Sequence, residues 1–357
     1  MPVRTAEILF VKCVKDGIPN RDPLRDSDAR RIFGEEDGRI SLSDVSIKRD
    51  VRDYVLARFP EDSEQPDLTR LVFVQKKFGE DGKTLLGRDG LANAILQKVR
   101  AAHTTAEGEA PAPAKPKKKG KAADGDADSD RNLLLGAAFD MRVFGAVFSV
   151  TGKSFNQTGP VQFGWAHSLH PVETRYTQGT VVMPSKDAKD GGASPSEEDK
   201  GKTQGTIWTQ YQLPFAVFAM PGIINATIAG QTGMSDDDVD LLLAGLWKGT
   251  LHRQARGRGI QQPLLLLHVE YADPFFRIGF LEEGLRLIPG RDQEGSAIWL
   301  GGKSPADLAE VTLNVQGVVE RLNRHSEQIA RTRLWCDPQL NLEGTLSAET
   351  GAWPEGV

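Results

Sequence analysis

Three short segments of the chain carry the residue types that could hold a run of phosphate groups. They read Lys-Asp-Gly-Ile-Pro-Asn-Arg-Asp-Pro at 15–23, Asp-Met-Arg-Val-Phe-Gly-Ala at 140–146 and Gly-Pro-Val-Gln-Phe at 159–163. Each segment places Gly or Pro beside Arg, Asn or Gln, which favours turns that present polar side chains to a phosphate chain. None of the three is a catalytic triplet or a metal signature, so the chemistry they predict is binding.

Two apparent nucleotide-binding loops lack a required glycine. Gly-Lys-Ser occurs at 152–154 and 302–304, but Val147 and Ala297 stand where a phosphate loop needs a further glycine. An NTPase is therefore excluded. The segment Arg-Gly-Arg-Gly at 256–259 also lacks the third glycine of a dinucleotide fingerprint. It is interpreted either as an Arg-Gly loop near RNA or as a plain surface turn.

The histidines give little support for metal or acid–base chemistry. His167 and His170 are the only close pair, and no cysteine or carboxylate stands at ligand spacing beside them. On a strand, residues three apart face opposite sides of the sheet. The sequence also has no Gly-x-Ser-x-Gly elbow around a nucleophilic serine. We therefore expect no metal site, no cofactor and no catalytic residue.

Composition sets broad limits on the class of protein. The 357 residues are 39% hydrophobic, which favours a globular chain, and 44 basic against 49 acidic residues give a net charge of −5. This charge argues mildly against a uniformly basic nucleic-acid binder, although a groove can be locally basic. Two cysteines far apart in sequence, no apolar run near ~20 residues and no apolar signal core predict a cytoplasmic location.

Hydrophobic patterning predicts an α+β fold with an antiparallel sheet covered on one face. The predicted strands are 7–14, 71–74, 139–150, 161–168, 263–271 and 277–287, and the predicted helices are 41–59 with a capping box at Ser41 to Asp44, 90–102 and 235–251. The segment 305–333 has many apolar residues and is predicted to be helical, within a C-terminal helical region at 303–335.

Two polar segments interrupt this pattern. Residues 106–130 are rich in Pro, Lys and Asp, and we predict a disordered insertion there because so little apolar surface can offset its ordering entropy. Two β-prone arms at 180–183 and 206–211 surround a long polar tip, which predicts an extended hairpin. With these exceptions, the sequence is interpreted as one elaborated domain over 1–357.

The order of the motifs resembles the backbone subunit of type I CRISPR Cascade complexes, in its Csd/Csh branch. That family has Asp-Gly-Asn-Pro-Asn-Gly-Asp-Pro after the first strand, where this chain has Ile18 and Arg21 in place of the first Asn and the second Gly. A Lys-Arg-x-x-Arg helix follows at 48–52, then Asp-x-Arg-x-Phe-Gly at 140–145 and Gly-Pro-Val-Gln at 159–162. The resemblance implies an RRM-like (ferredoxin-like) palm with large insertions and a β-hairpin thumb at 173–210.

The resemblance also implies a function and a set of contact residues. Copies of the subunit would coat a guide RNA as a helical filament that pairs with target DNA, together with other Cascade subunits and a recruited helicase-nuclease in antiviral defence. Cations would hold phosphates and flat side chains would stack on bases. The predicted RNA contacts are Asn20, Arg21, Lys48, Arg49, Arg52, Arg142, Phe144, Gln162, Arg175, Tyr176, Trp208, Arg256 and Arg258. Core packing is the alternative for Phe144 and Trp208, and a solvated helix face is the alternative for Lys48 and Arg52.

Two enzymatic alternatives belong to the same superfamily. A CRISPR endoribonuclease would need a titrating group against the 2′-hydroxyl, for which His167 or His170 is the candidate. A type III-like backbone subunit would cut target RNA with a metal and a loop aspartate, for which Asp16, Asp22 or Asp26 is available. The sequence favours the non-catalytic filament subunit, since turn formation already accounts for these aspartates.

Overall fold

Strand β1 (Ala6–Lys15) forms the centre of an eight-stranded sheet. The computed structural model describes residues 2–25, 27–106, 124–150, 153–180, 207–255, 257–290 and 304–354. β1 pairs antiparallel with β11 (Phe215–Ile224) on one side and with β12 (Ile260–Tyr271) on the other. Every residue of β1 except Lys15 is buried, which agrees with its apolar, β-prone sequence.

Shorter strands extend the sheet on both sides. They are β4 (Ser41–Leu42), β7 (Val161–Phe163), β8 (Ala166–Ser168), β15 (Ile329–Cys336) and β17 (Glu349–Thr350). The order is β17-β15-β12-β1-β11-β8-β4, with β7 also paired to β11. All pairs are antiparallel except β15 with β17. The predicted single strand at 161–168 is therefore two short strands.

Helices α1 (Asp44–Arg58) and α6 (Asp236–His252) pack together over one face of this sheet. α1 follows β1, α6 precedes β12, and the strand order β12-β1-β11-β8 completes a ferredoxin-like βαββαβ arrangement. The helices approach closely because Gly249 faces α1, where an added Cβ would lie 2.3 Å from the carbonyl oxygen of Asp50. The predicted RRM-like α+β class is confirmed.

The N-termini of these two helices differ from the prediction in their caps. α6 begins after Ser235 as predicted, and Ser235 caps it through a complete capping box with Asp238 that was not predicted from the sequence. The capping box predicted at Ser41 to Asp44 is wrong, because Ser41 and Leu42 form β4. α1 instead begins after Ser43, whose side chain makes no capping hydrogen bond.

The other face of the sheet is also covered, contrary to the predicted one-sided sheet. A small sheet of β13 (Arg286–Pro289), β14 (Val311–Asn314) and β16 (Leu342–Glu343), with helix α7 (Gln316–Arg324), lies against Leu9 and Val11 of β1. The predicted helical region 303–335 is wrong: it contains β14, α7 and β15. Val311, Leu313 and Val315 alternate as in a strand, whereas the later apolar residues have helical spacing.

A third apolar cluster joins α2 (Arg88–Ala106), α3 (Asp124–Ala137) and α4 (Phe139–Phe144) to Leu71 and Phe73. The strand predicted at 139–150 is α4 followed by β5 (Gly145–Val150), which pairs with β6 (Lys153–Thr158). The strand predicted at 71–74 is only an isolated bridge from Leu71 to Ala138. Short buried apolar runs do not distinguish helix from strand by periodicity.

Two predicted insertions lie partly outside the described residues. In the insertion 106–130, Asp124–Asp130 belong to α3 rather than to a disordered segment, and residues 107–123 lie outside the described chain. The hairpin arms are β9 (Arg175–Thr180) and β10 (Ile207–Gln212), and residues 181–206 of the predicted thumb lie outside it. The described part of the chain also includes β2 (Arg21–Asp22), β3 (Asp28–Ala29) and α5 (Ala226–Thr232).

The strand predicted at 277–287 is a turn of 3-10 helix at Leu281–Gly284 followed by β13. Gly279 and Phe280 have φ of 79° and 51°, which reverses the chain before a strand can form. In the described part of the chain, no helix has both the length and the hydropathy needed to span a membrane.

Candidate RNA-binding surface

Two loops interlock at the Lys15 end of β1. The loop after β1 carries Gly17, and an added Cβ there would lie 2.1 Å from the backbone nitrogen of Gly259 in the loop before β12. The backbone N–H of Ile18 donates to the carbonyl oxygen of Gly257 at 2.9 Å. Gly259 itself has φ of +76°, which favours glycine. This contact requires small residues in both loops and fixes them relative to each other.

Asn20 ties the first loop to helix α1. Its side-chain oxygen accepts hydrogen bonds from the backbone N–H of Ser43 at 3.0 Å and from the Ser43 hydroxyl at 2.9 Å. Ser43 is the residue before α1, so Asn20 helps to set where the helix begins. The structure therefore gives Asn20 a positioning role. Ile18, which departs from the family pattern, is fully buried.

Beneath these loops, one carboxylate gathers three cations. Asp50 in α1 accepts from Lys12 at 3.1 Å, from Arg253 at 2.8 Å and from Arg258 at 3.1 Å. Lys12 is 2% exposed, and burial lowers the pKa of its ammonium group. Arg253 has a second partner in Asp53 at 3.0 Å. The local charge is therefore more positive than the chain as a whole, as a groove for phosphates requires.

Arg258 is predominantly a structural residue in this arrangement. One guanidinium nitrogen donates to the carbonyl oxygen of Pro19 at 2.6 Å, and another pairs with Asp50. Burial is the main cause that lowers the pKa of Arg258. Its partner in the predicted Arg-Gly loop, Arg256, lies outside the described residues.

Arg21 is a predicted contact that keeps most of its hydrogen-bond donors. It is half-buried, and one of its nitrogens donates to the carbonyl oxygen of Gly257 at 3.1 Å. Arg21 makes no ion pair with the described residues, whereas a guanidinium has five N–H donors. Burial lowers the pKa of Arg21. A partly desolvated, unpaired cation at the rim of two fixed loops is well suited to a phosphate oxygen.

The predicted basic face of α1 does not form one free patch. Lys48 pairs with Asp44 at 2.9 Å and Arg49 pairs with Asp53 at 2.6 Å, both along the helix. Arg52 is buried and pairs with Asp140 at 2.7 Å. The helical spacing places all three near one another but does not reveal that acidic partners neutralise them.

The side chain of Arg142 makes its hydrogen bonds within the protein. It is 6% exposed, donates to Asp238 at 2.8 and 3.1 Å, and donates to the carbonyl oxygens of Leu135, Gly136 and Thr69 at 2.7–2.8 Å. Asp140 likewise accepts from the backbone N–H groups of Phe73 and Val74. The Asp-x-Arg-x-Phe-Gly motif thus anchors α4 between the loop at 69–74 and α6, and we remove Arg52 and Arg142 from the proposed RNA contacts.

The Asp-x-Arg-x-Phe-Gly and Gly-Pro-Val-Gln motifs contact each other through Gly145 and Gly159. An added Cβ on Gly159 would lie 2.1 Å from the carbonyl carbon of Phe144, and Gly145 has φ of +77°. Phe144 is buried, with its ring 6.3 Å from that of Phe163. Core packing therefore accounts for Phe144, and we remove it as well.

A family model described as "CRISPR-associated protein Cas7" matches residues 4–293. The chain belongs to the Cas7 family. The motif order thus predicted the family correctly. No curated protein matches the chain.

Two solved structures are similar to this Cas7-family chain. The first, "CRISPR RNA-guided surveillance complex, pre-nicking", has 15% identity and a TM-score of 0.48, with 96% of each chain covered. The second, "CRISPR RNA-guided surveillance complex", has 13% identity and a TM-score of 0.44, with 96% of this chain and 95% of that chain covered.

The hairpin of the Cas7-family chain stands beside the interlocked loops. Its strand β10 contacts β3 of the loop after β1. Arg175 and Tyr176 are exposed, and the Tyr176 ring lies 5.3 Å from that of Tyr211 in an edge-on arrangement. Trp208 lies over Gly179, where an added Cβ would come within 2.5 Å of the indole. The hairpin therefore presents one cation and one aromatic ring next to Arg21's loop.

One cluster in the same region was not predicted from the sequence. Phe33 is 47% exposed, and the Arg39 guanidinium carbon lies 4.1 Å from the centre of its ring. Asp37 holds Arg39 through two hydrogen bonds at 2.7 and 3.1 Å, and the His167 ring lies 4.6 Å from Phe33. Bases stack on aromatic rings and on guanidinium planes. The sequence signal that could have indicated this cluster is a single aromatic residue, Phe33, in a polar loop.

Gln162 lies elsewhere in the structure. It is exposed on β7, which pairs with the end of β11 that adjoins Ala6 rather than Lys15. Its amide nitrogen donates to the carbonyl oxygen of Gly159 at 3.0 Å. Gln162 is therefore not brought together with Arg21, Arg258 and the hairpin.

Three of the candidates for catalysis have structural partners, and a fourth, Asp26, lies outside the described residues. His170 is buried, which lowers its pKa to about 4, and its Nδ1 contacts the carbonyl oxygen of Pro171 at 2.9 Å. His167 contacts the hydroxyl of Ser41 at 3.0 Å, and burial followed by the charge of Arg39 lowers its pKa. Asp22 accepts from the backbone N–H of Leu24 at 3.1 Å in a turn. Within the described ranges, no group of three or more His, Cys, Asp or Glu could hold a metal ion.

Proposed function

We propose that this chain is a non-catalytic backbone subunit that coats a CRISPR guide RNA in repeated copies and forms the helical core of a Cascade-type complex. The observation that carries the proposal is the family match over residues 4–293, which spans both the ferredoxin-like core and the loops at the Lys15 end. In this role the protein holds the RNA backbone, and base pairing between guide and target DNA supplies the sequence recognition.

The geometry supports RNA binding by loops rather than by the face of the sheet. In RRM domains, aromatic residues on an open sheet face stack on bases. Here α1 and α6 cover one face, and the small sheet with α7 covers the other. The surface left for RNA is formed by the loop after β1, the loop at 253–259 and the β9–β10 hairpin.

The proposed contacts keep some of the predicted residues, add the Phe33–Arg39 cluster and give other residues a positioning role. Arg21 and Arg175 hold phosphates, while Tyr176 and the Phe33–Arg39 cluster stack on bases. Lys48 and Arg49 remain in the proposal because ion pairs along a helix surface are weak enough to exchange for a phosphate. Asn20 and Arg258 position the loops. Arg256 and Trp208 stay as predicted contacts, whereas Gln162 is removed because it lies at the Ala6 end of the sheet.

The proposed partners follow from the same role. They are the guide RNA, target DNA paired to it, further copies of this chain, other Cascade subunits and a recruited helicase-nuclease, in the cytoplasm. A subunit of this kind needs neither a cofactor nor a metal. The turn and packing contacts of Asp22 and His170 support a chain that holds RNA without cleaving it.

The test is the RNA that accompanies the protein. We expect the chain, produced together with a CRISPR array, to co-purify with RNA of one guide length, and nuclease digestion to leave fragments at a regular interval. The control is Arg324→Ala, which removes an exposed arginine on α7 and should retain the RNA. Recovery of no RNA, or of unrelated cellular RNA in proportion to its abundance, would contradict the proposal.

A further inference from the structure

His167 lies between a buried serine and an exposed aromatic ring. Its Nδ1 contacts the hydroxyl of Ser41 at 3.0 Å, and Ser41 is completely buried. The His167 side chain itself is half-buried, and its ring centre lies 4.6 Å from that of Phe33. Because the two nitrogens lie on different sides of an imidazole, the Nε2 of His167 points away from Ser41.

The contact with Ser41 determines which ring nitrogen of His167 carries the proton. A buried hydroxyl needs an acceptor for its hydrogen, and within the described residues the Ser41 hydroxyl has no acceptor other than Nδ1 of His167. Ser41 therefore donates to Nδ1, and the neutral ring carries its proton on Nε2. Burial, followed by the charge of Arg39, lowers the pKa of His167 and favours the neutral ring, although Asp37 opposes this effect. Nε2–H is thus a hydrogen-bond donor, and no described residue accepts a hydrogen bond from it.

A short chain of hydrogen bonds joins His167 to the loop that carries Arg21. Ser41 donates its backbone N–H to the carbonyl oxygen of Arg30 at 2.7 Å. Arg30 in turn donates to the carbonyl oxygen of Asn20, the residue before Arg21, at 3.4 Å. Strand β2, which contains Arg21, also pairs with β3 directly before Arg30. A nucleic-acid strand whose phosphate is bound by Arg21 therefore passes near His167.

A hydrogen-bond donor beside a stacking ring suits a ribose. The ribose is attached at the edge of a base, so a base stacked on Phe33 brings its 2′-oxygen near the edge of that ring, where His167 lies. The 2′-hydroxyl of RNA can accept a hydrogen bond, and deoxyribose has no oxygen at this position. A phosphate oxygen would favour a charged imidazolium instead, which the neighbouring Arg39 opposes.

We propose that His167 donates its Nε2–H to the 2′-hydroxyl of the nucleotide whose base stacks on Phe33, and that this contact makes the surface prefer RNA to DNA. The inference rests on the proposed function, because it assigns a contact within the same RNA-binding surface. It also explains how a histidine can lie beside a 2′-hydroxyl and leave the RNA intact. A nitrogen that already carries a proton does not remove one from the hydroxyl.

The first test changes the RNA and leaves the protein unaltered. Fluorescence of 2-aminopurine identifies the nucleotide of a short single-stranded RNA that stacks on Phe33, and the 2′-hydroxyl of that nucleotide is then replaced by hydrogen. We expect this single 2′-deoxy substitution to weaken binding about threefold to tenfold, which is the effect of losing one neutral hydrogen bond. Equal affinity for the RNA with and without that hydroxyl would overturn the proposal.

The second test combines the modified RNA with a variant of the protein. His167→Phe keeps an aromatic ring beside Phe33 but removes the donor, so this variant should lose its sensitivity to the single 2′-deoxy substitution. His325→Phe is the matched control, because His325 is also half-buried beside a phenylalanine, Phe276, with 5.5 Å between the ring centres. The control should keep the full sensitivity. A His167→Phe variant that keeps it as well would contradict the donor role.

NMR of the protein with isotopically labelled histidine nitrogens tests the tautomer in the absence of RNA. We expect the His167 resonances, identified by their absence from the spectrum of His167→Phe, to show the proton on Nε2 at neutral pH. A proton on Nδ1 would overturn the proposal, because Nε2 would then be an acceptor. If His167→Phe folds poorly, the 2′-deoxy substitution with the unaltered chain still decides the proposal.

A comparison of single-stranded RNA with single-stranded DNA of the same sequence separates this proposal from the proposed function. We expect the unaltered chain to bind the RNA more tightly than the DNA, and His167→Phe to reduce that difference. If the unaltered chain binds both equally well, the role of His167 is overturned and RNA binding stands. If it binds neither, the proposed function fails together with the role of His167.

Discussion

Arg142 and Asp238 form a buried two-point ion pair that joins α4 to the first turn of α6. The guanidinium nitrogens of Arg142 lie 2.8 and 3.1 Å from the carboxylate oxygens of Asp238. Asp238 at the same time completes the capping box of α6 with Ser235. A motif that predicts RNA contact from its sequence therefore fixes the junction between two helical segments of the palm.

We predict that Arg142→Ala will unfold more easily by about 3–5 kcal/mol, because the substitution leaves the Asp238 carboxylate buried without its partner. Urea denaturation followed by circular dichroism measures this change. Arg324→Ala is the control for loss of one positive charge. A fully stable Arg142→Ala variant with weak RNA binding would return Arg142 to the RNA surface.

Gly17→Ala should disturb the interlocked loops, since its new Cβ would meet the backbone of Gly259. We expect a loss of about 1–3 kcal/mol in the free energy of unfolding and weaker RNA binding. Gly87→Ala, where the added Cβ meets nothing within 4 Å, is the matched control. Melting curves and RNA affinities equal to those of the unaltered protein would show that the loops do not need this contact.

The Phe33–Arg39 cluster should stack on a base. Removal of a stacking side chain typically costs about 1–3 kcal/mol per base, so Phe33→Ala should weaken single-stranded RNA binding by roughly tenfold or more. The fluorescence of 2-aminopurine placed along the RNA reports stacking directly. Phe78→Ala serves as the control, and identical fluorescence for Phe33→Ala and the unaltered protein would exclude this site.

Burial of His170 predicts a pH dependence of stability. The pKa of His170 is lowered to about 4 from 6.5. Between these values the unfolded chain binds a proton that the folded protein excludes, so the free energy of unfolding falls as the pH falls from 6.5 to about 4. This group alone contributes roughly 3 kcal/mol to that fall. His170→Gln should flatten the dependence, whereas His252→Gln, at an exposed position, should not. An equal slope in both variants would contradict the assignment.

The sequence predicted the central features of the fold for physical reasons that are local. The apolar run of β1, the acidic residues that follow Ser235 and the apolar run of β12 each indicate an element on their own. The motif order identified the family. By contrast, the apolar residues of segment 305–333 have the two-residue spacing of a strand at Val311 and Leu313 and helical spacing further on. Only the structure shows where the strand ends and the helix begins.

The roles of individual arginines could not be predicted, because they depend on partners distant in sequence. Arg52 and Asp140 are 88 residues apart, and Arg142 and Asp238 are 96 residues apart. Neither ion pair leaves a signal in a local pattern. Arg21, by contrast, lies in a loop whose turn residues predict that polar side chains are presented to a ligand. In the structure, most N–H donors of the Arg21 guanidinium remain available.

The most direct test of the account is the salt dependence of single-stranded RNA binding by three proteins: the unaltered chain, Arg21→Ala and Arg324→Ala. Each phosphate contact contributes about 0.7 to the slope of log affinity against log salt on a single strand. We predict a steep slope for the unaltered chain and for Arg324→Ala, and for Arg21→Ala lower affinity across scrambled RNA sequences with a slope reduced by about 0.7. Binding that is indifferent to salt, or equal slopes and affinities for all three proteins, would contradict an RNA-binding surface at the Lys15 end of β1.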